Sequence, residues 1–228
     1  MADRRAPFVK ICCIASVAEA ELAIAAGASA LGLVSAMPSG PGVITDALIA
    51  EIAARVPPPI ATFLLTSRQD ADAIVEQHAQ CRTTTLQLVD HVATPELIRL
   101  RDRLPGIKLV QVIHVHDEDS VAEAVEAARH VDALLLDSGN PTLAVKELGG
   151  TGRTHDWRLS RRIRERVAVP VFLAGGLNAA NVTDAVAAVG PFGLDLCSSV
   201  RTGGRLDPTK LHAFMAALRL SRPASPPG

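Results

Sequence analysis

Val169-Pro170-Val171-Phe172-Leu173-Ala174-Gly175-Gly176-Leu177 is a short β-branched and aromatic run that breaks directly into paired glycines. About twenty residues on, Phe192-Gly193-Leu194-Asp195-Leu196 breaks in the same way into Cys197-Ser198-Ser199. Two small-residue loops after successive strands are what a barrel of alternating strands and helices uses to hold a phosphate through backbone N–H groups. Glycine lets the backbone approach the anion, and serine hydroxyls add donors. Gly175, Gly176, Ser198 and Ser199 are therefore the candidate phosphate ligands, and the pattern points to a phosphorylated small molecule.

Working backwards from this pair, apolar runs alternate with amphipathic segments eight times. The spacing predicts strands at Phe8–Cys12, Ala30–Val34, Ile60–Leu64, Thr84–Leu88, Lys108–Ile113, Ala133–Asp137, Val169–Leu173 and Phe192–Cys197. It predicts helices at Val17–Ala26, Asp46–Arg55, Asp70–Gln80, Pro95–Arg103, Ser120–Ala128, Trp157–Val167, Ala180–Val189 and Pro208–Leu218. Strands apolar on both faces imply a parallel sheet covered by helices. Strict alternation implies right-handed βα units, and eight of them in 228 residues favour closure into one (β/α)₈ TIM barrel over residues 1–220. Thr45-Asp46, Thr94-Pro95 and Asp207-Pro208 each offer a capping side chain near a helix start. The tail at 221–228 (RPASPPG after Ser221) is expected to be disordered from its composition.

Composition narrows the partners. The net charge of −1 carries no footprint for nucleic acid or an anionic membrane surface. The N-terminal stretch has no apolar core before Phe8, so no secretory signal is expected, and no run approaches a membrane span. Cys12, Cys13, Cys81 and Cys197 show no metal-ligand spacing, and a reducing cytoplasm is the expected compartment. Adjacent Cys12 and Cys13 are expected on opposite faces of the first strand, with Cys81 and Cys197 in the core. The acidic and basic mix of Arg158–Arg166 reads as a solvated helix face.

Two strand-to-helix connections are long, 35–44 and 138–154, and both fall on the face where barrels of this type build their sites. Cys12 ends the first strand and Asp137 the sixth, so both can aim into the mouth. A thiolate and a protonated acid in one pocket form a base–acid pair. That assignment runs against reference values of ~8.5 and ~3.9, so the site would have to lower the first and raise the second. A nearby cation such as Lys10 would help the cysteine. The residues alone leave open that Cys12 is a buried small hydrophobe and Asp137 a loop cap. Gly149-Gly150-Thr151-Gly152, with Asp156-Trp157 behind it, reads as a lid or anion cradle, or as a plain connection ending in a helix cap. His114 and His116 alternate on one strand face, but without a third ligand nearby no zinc site is expected.

Lys10-Ile11-Cys12, Leu134-Leu135-Leu136-Asp137, Gly149-Gly150-Thr151-Gly152 with Asp156-Trp157, Leu173 to Asn178 and Asp195 to Ser199 together resemble the phosphoribosylanthranilate isomerase family, over roughly residues 8–218. The resemblance implies a TIM barrel of tryptophan biosynthesis that carries out an Amadori rearrangement without cofactor or metal, as a monomer or homodimer. It implies Cys12 as general base, Asp137 as general acid, and Gly150, Gly152, Gly175, Gly176, Ser198 and Ser199 as phosphate ligands. The departures fall elsewhere. Cys13 stands where the family has glycine. Met37-Pro38-Ser39-Gly40-Pro41-Gly42 lacks the arginine that faces the anthranilate carboxylate. Val89-Asp90 replaces a His-Gly pair, and Val200-Arg201 follows the serines. Arg201, then Arg153, are the cations left as candidates for the aglycone carboxylate. Two other readings stay open: an isomerase of another phosphoribosyl amine, and a non-catalytic barrel that binds a phosphorylated metabolite.

Overall fold

The computed structural model describes residues 7–139 and 154–220. Eight parallel strands close into a barrel in sequence order: β1 (Phe8–Ile11), β2 (Ala30–Val34), β3 (Ala61–Thr66), β4 (Thr85–Leu88), β5 (Lys108–His114), β6 (Ala133–Asp137), β7 (Val171–Leu173) and β8 (Gly193–Leu196). Closure is made by β1 against β8, with Lys10 opposite Asp195 and Ile11 opposite Leu196. The outer layer is α1 (Val17–Ala25), α2 (Asp46–Arg55), α3 (Ala71–Cys81), α4 (Thr94–Arg103), α5 (Glu118–Ala127), α6 (Trp157–Arg166), α7 (Val182–Val189) and α8 (Pro208–Leu220). The expected architecture is the one observed: β2, β6 and α2 have the expected bounds, and the other boundaries shift by at most two residues.

The sheet separates two apolar cores, because alternate residues of each strand face opposite ways. Ile11, Leu31, Leu33, Leu64 and Leu134 face outward onto Ile49, Ile52, Ile74 and Ile163 of the helices. Ala30, Phe63, Val110, Val112, Leu135 and Phe172 fill the barrel interior. Phe172 stands edge-on to Phe8 (5.7 Å), Phe63 (6.0 Å) and Phe192 (5.4 Å). Its ring lies 2.6 Å from where a side chain on Gly193 would begin, so β8 can pass this aromatic plug only with glycine there. The interior is thus packed solid below the mouth, and any small molecule must bind above it.

Side-chain caps set most helix starts. Ser16, Thr45, Asp70 and Asp156 accept first-turn N–H groups of α1, α2, α3 and α6, and Asp117 and Ser120 form a reciprocal capping box at α5. Asp207 accepts from the N–H groups of Thr209 and Lys210. Thr94 does not cap: α4 starts after Ala93, whose side chain cannot accept, and Pro95 in the first turn carries the start signal instead. On α6 only Ser160 and Ile163 are buried, which leaves its arginines in solvent. Among the described residues no helix is long and apolar enough to cross a membrane.

Candidate active site

The C-terminal ends of the strands open into one mouth. Cys12, Asp137, Gly175, Gly176, Ser198 and Ser199 all line it, so six of the residues chosen from sequence converge. Gly150, Gly152 and Arg153 lie outside the described residues, as do the rest of the Gly149–Gly152 loop and the tail from 221. The descent of each chain segment into the mouth is local in origin. Cys12 is the first residue past β1, and its N–H donates to the Leu196 carbonyl (2.7 Å), continuing the β1–β8 ladder by one step. Asp137 is the last residue of β6, and the Ser138 N–H donates to its Oδ1 (2.7 Å).

The two loops read as phosphate ligands are both tight turns. Gly175 and Gly176 take φ of +81° and +62°, a left-handed pair that turns the chain above β7 and that side-chain-bearing residues adopt only with strain. Ser198 to Val200 make a single 3₁₀ turn directly after β8. The Ser199 hydroxyl is buried with no hydrogen-bond partner among the described residues, as is Oε1 of Gln87 in the opposite wall. Buried polar atoms rarely stay unsatisfied. Two such atoms on opposite sides of one cavity are available to a polar ligand.

The electrostatics separate the two candidate catalysts in the direction acid–base work requires. Asp137 is buried, and that burial raises its pKa, against the opposing Ser138 N–H and the Lys10 charge. Cys12 is lowered, chiefly by a hydrogen bond from the Cys13 thiol, with burial opposing and the Lys10 ammonium assisting. The two groups are thus displaced in opposite directions within one pocket, the carboxyl toward its acid form and the thiol toward its thiolate.

Three expectations need correction. Cys13 does not face away from Cys12. The strand has ended at Ile11, and Cys13 turns with φ +62°, so both thiols reach the mouth. That left-handed conformation is also the physical reason a glycine suits this position. Its Sγ lies 2.8 Å from Cys197 Sγ, and Cys197 lines the mouth instead of sitting in the core; Cys81 alone is buried among apolar neighbours as expected. Arg201 does not reach the mouth. A two-stranded hairpin unforeseen from the sequence, β9 (Arg201–Thr202) with β10 (Arg205–Leu206), turns it inward beneath the first loop. Its guanidinium donates to the carbonyls of Cys12 (2.9 Å), Cys13 (2.5 Å) and Gly204 (3.0 Å) and pairs with Glu19. One nitrogen of that guanidinium holds the Cys12 and Cys13 carbonyls, and another ties it to Glu19 and Gly204.

Two features escaped the sequence reading as site elements. One is Gln87, whose signal is a lone polar residue between Leu86 and Leu88. The other is the pairing of Lys10 with Asp195, each the only charge in an otherwise apolar strand. His114 Nε2 lies 3.2 Å from the Val89 carbonyl, and among the described residues no group of three or more His, Cys, Asp or Glu side chains could hold a metal ion.

Comparison with known proteins bears on this site. Residues 9–217 match the family model described as N-(5'phosphoribosyl)anthranilate (PRA) isomerase. An N-(5'-phosphoribosyl)anthranilate isomerase from Halorubrum lacusprofundi is 37% identical over 91% of this chain and 94% of its own length. The one from Haloferax volcanii is 35% identical over 95% of each. Among solved structures, phosphoribosyl anthranilate isomerase from Thermotoga maritima superposes with a TM-score of 0.81 at 25% identity, over 93% of this chain and 98% of that one. A phosphoribosyl anthranilate isomerase in complex with reduced 1-(o-carboxyphenylamino)-1-deoxyribulose 5-phosphate superposes at 0.78 and 23% identity, over the same shares.

Proposed function

Because the chain belongs to the N-(5'-phosphoribosyl)anthranilate isomerase family, we infer that it catalyses the Amadori rearrangement of N-(5'-phosphoribosyl)anthranilate to 1-(2-carboxyphenylamino)-1-deoxyribulose 5-phosphate, a step of tryptophan biosynthesis. We propose that Asp137 is the general acid: it delivers its proton to the ring oxygen as the furanose opens. Cys12 is the general base: its thiolate takes the proton from the second carbon of the sugar, and the resulting enolamine relaxes to the ketone. The observation that carries this assignment is the opposite displacement of the two groups in one cavity, Asp137 upward through burial and Cys12 downward through Cys13 and Lys10.

The phosphate falls to the loops above β7 and β8: Gly175, Gly176, Ser198 and Ser199 line the same mouth, and their backbone N–H groups and the unpartnered Ser199 hydroxyl are the donors for it. Anchoring at that end fixes the sugar carbons between acid and base, so remote binding energy serves the reacting centre. Gln87 supports the same reading, since its buried carbonyl oxygen can accept from a sugar hydroxyl. The reaction is confined to the chain's own acid and base, and the expected working place is the cytoplasm.

Positioned acid–base catalysis supplies about 10²–10⁴-fold per group. Cys12→Ser and Asp137→Asn should each lower kcat by at least about a hundredfold and leave KM within a few-fold. Steady-state kinetics on phosphoribosylanthranilate check this, and a loss below tenfold in both variants would remove them from the mechanism.

A further inference from the structure

Beneath the mouth the barrel holds a charge that the scheme above does not use. Lys10 is completely buried, and its Nζ donates to both carboxylate oxygens of Asp195 at 2.9 Å. It stands 5.4 Å from the centre of the Phe63 ring. A carbon added to Gly32 of β2 would fall 3.0 Å from Lys10 Nζ and 2.9 Å from Cys12 Sγ. One vacant carbon position thus touches both, so ammonium and sulfur are neighbours across the gap the glycine leaves. Removing two such ions from water costs several kcal/mol each, and apolar residues of equal volume would pack the barrel at least as well. Packing therefore does not account for the pair.

Resting on the reading of Cys12 as base, we propose that the Lys10–Asp195 pair is a positioning element for it: the ammonium favours the Cys12 thiolate, and Asp195 holds the ammonium in register beneath it. The other groups facing Cys12 define what the pair must work against. Cys13, next in the same loop, lies 3.5 Å from the Pro41 carbonyl and 2.8 Å from Cys197 Sγ of the last strand's loop. Asp137 faces the mouth from β6, and Arg201 holds the Cys12 carbonyl. Of these, the neighbouring Cys13 thiol lowers Cys12 most, burial opposes it, and the buried Lys10 ammonium adds to the lowering. The same charge reaches Asp137, where it moderates the upward effect of burial. One cation thereby acts on base and acid together, and Asp195 limits its strength.

The test is the pH dependence of iodoacetamide alkylation at Cys12, read by fragment mass spectrometry that separates Cys12 from Cys13. The proteins compared are the wild type, Lys10→Met, and the double variant Lys10→Met/Asp195→Asn, which leaves no uncompensated buried charge. In the wild type the midpoint should fall below the ordinary thiol value of ~8.5. In both variants it should rise by about one pH unit, a roughly tenfold loss of thiolate at neutral pH, and the acid limb of kcat/KM should move with it while KM changes little. A wild-type midpoint at or above the ordinary value overturns the proposal even if neither variant folds. So does a folded double variant with an unmoved midpoint. If Cys12→Ser keeps full turnover while the midpoints behave as expected, the base assignment fails and the coupling of Lys10 to Cys12 stands.

Discussion

Arg201 shows how far a residue's role depends on the direction in which its backbone sends it. Its place after the serine pair suggested a partner for a substrate carboxylate, yet it is buried and serves as a clamp. Glu19, its ion-pair partner, also accepts from the N–H groups of Ala15 and Leu206, so one largely covered carboxylate ties the first loop, α1 and the hairpin together. Removing one member of a buried pair leaves the other uncompensated, at about 3–5 kcal/mol. Arg201→Ala should therefore lower stability by roughly 3 kcal/mol in denaturant unfolding, with lost activity following lost fold. A stable variant with only a raised KM would return Arg201 to the substrate. Cys12 and Asp137 were legible because a strand end in a barrel points one way whatever its neighbours. Cys13 was not, because strand alternation stops where the strand stops, and a left-handed φ at a cysteine leaves no mark in the sequence. Lys10 and Asp195 were visible singly, but their partnership depends on the register of two strands at opposite ends of the chain.

Among the elements, α6 carries a titration of its own. His155 precedes the helix with Nε2 2.6 Å from Ser160 Oγ, and burial holds its pKa down to about 4. As pH falls, the unfolded chain takes up this proton near 6.5 and the native protein only near 4, so stability is full above that window and is lost through it. Each unit costs about 1.4 kcal/mol, which makes the whole effect roughly 3–4 kcal/mol. His155→Gln should flatten the decline in unfolding free energy between pH 6.5 and 4. An unchanged slope would mean the imidazole is not buried neutral in the native state. The elements themselves were readable in type and order, since each strand is a short β-branched run and each helix buries one stripe. Thr94 was misjudged because a threonine before proline resembles a cap whether or not its backbone has left the helix. The β9–β10 hairpin is two residues a side, too short for any alternation to show.

Across the whole molecule, the retained and the altered parts of the site separate by position. The residues proposed as acid, base and phosphate ligands line the mouth, while its described lining residues include no lysine or arginine to meet an aglycone carboxylate. A charged hydrogen bond is worth about 1.5–3 kcal/mol, so phosphoribosylanthranilate should be turned over with a KM raised roughly ten- to a hundredfold over an enzyme that has that partner. Gly40, with φ +116°, would be strained by any side chain, so Pro41 in the same wall is the place to restore the cation. Pro41→Arg should lower KM, and Arg153→Ala should raise it if the sixth loop supplies the charge. A low wild-type KM unchanged by both would refute the argument. The aglycone side was the least legible, because a missing residue indicates what a loop lacks and not what replaces it. The closure of the barrel has one more consequence, which concerns the order in which the chain is made. The base follows β1 and the serines follow β8, and these strands are partners, so during translation the first strand must wait for the last. Until β8 clears the ribosome, β1 keeps an open hydrogen-bonding edge and no catalytic mouth exists. The pairing that closes the barrel is thus also the one that brings Cys12 beside the serine turn.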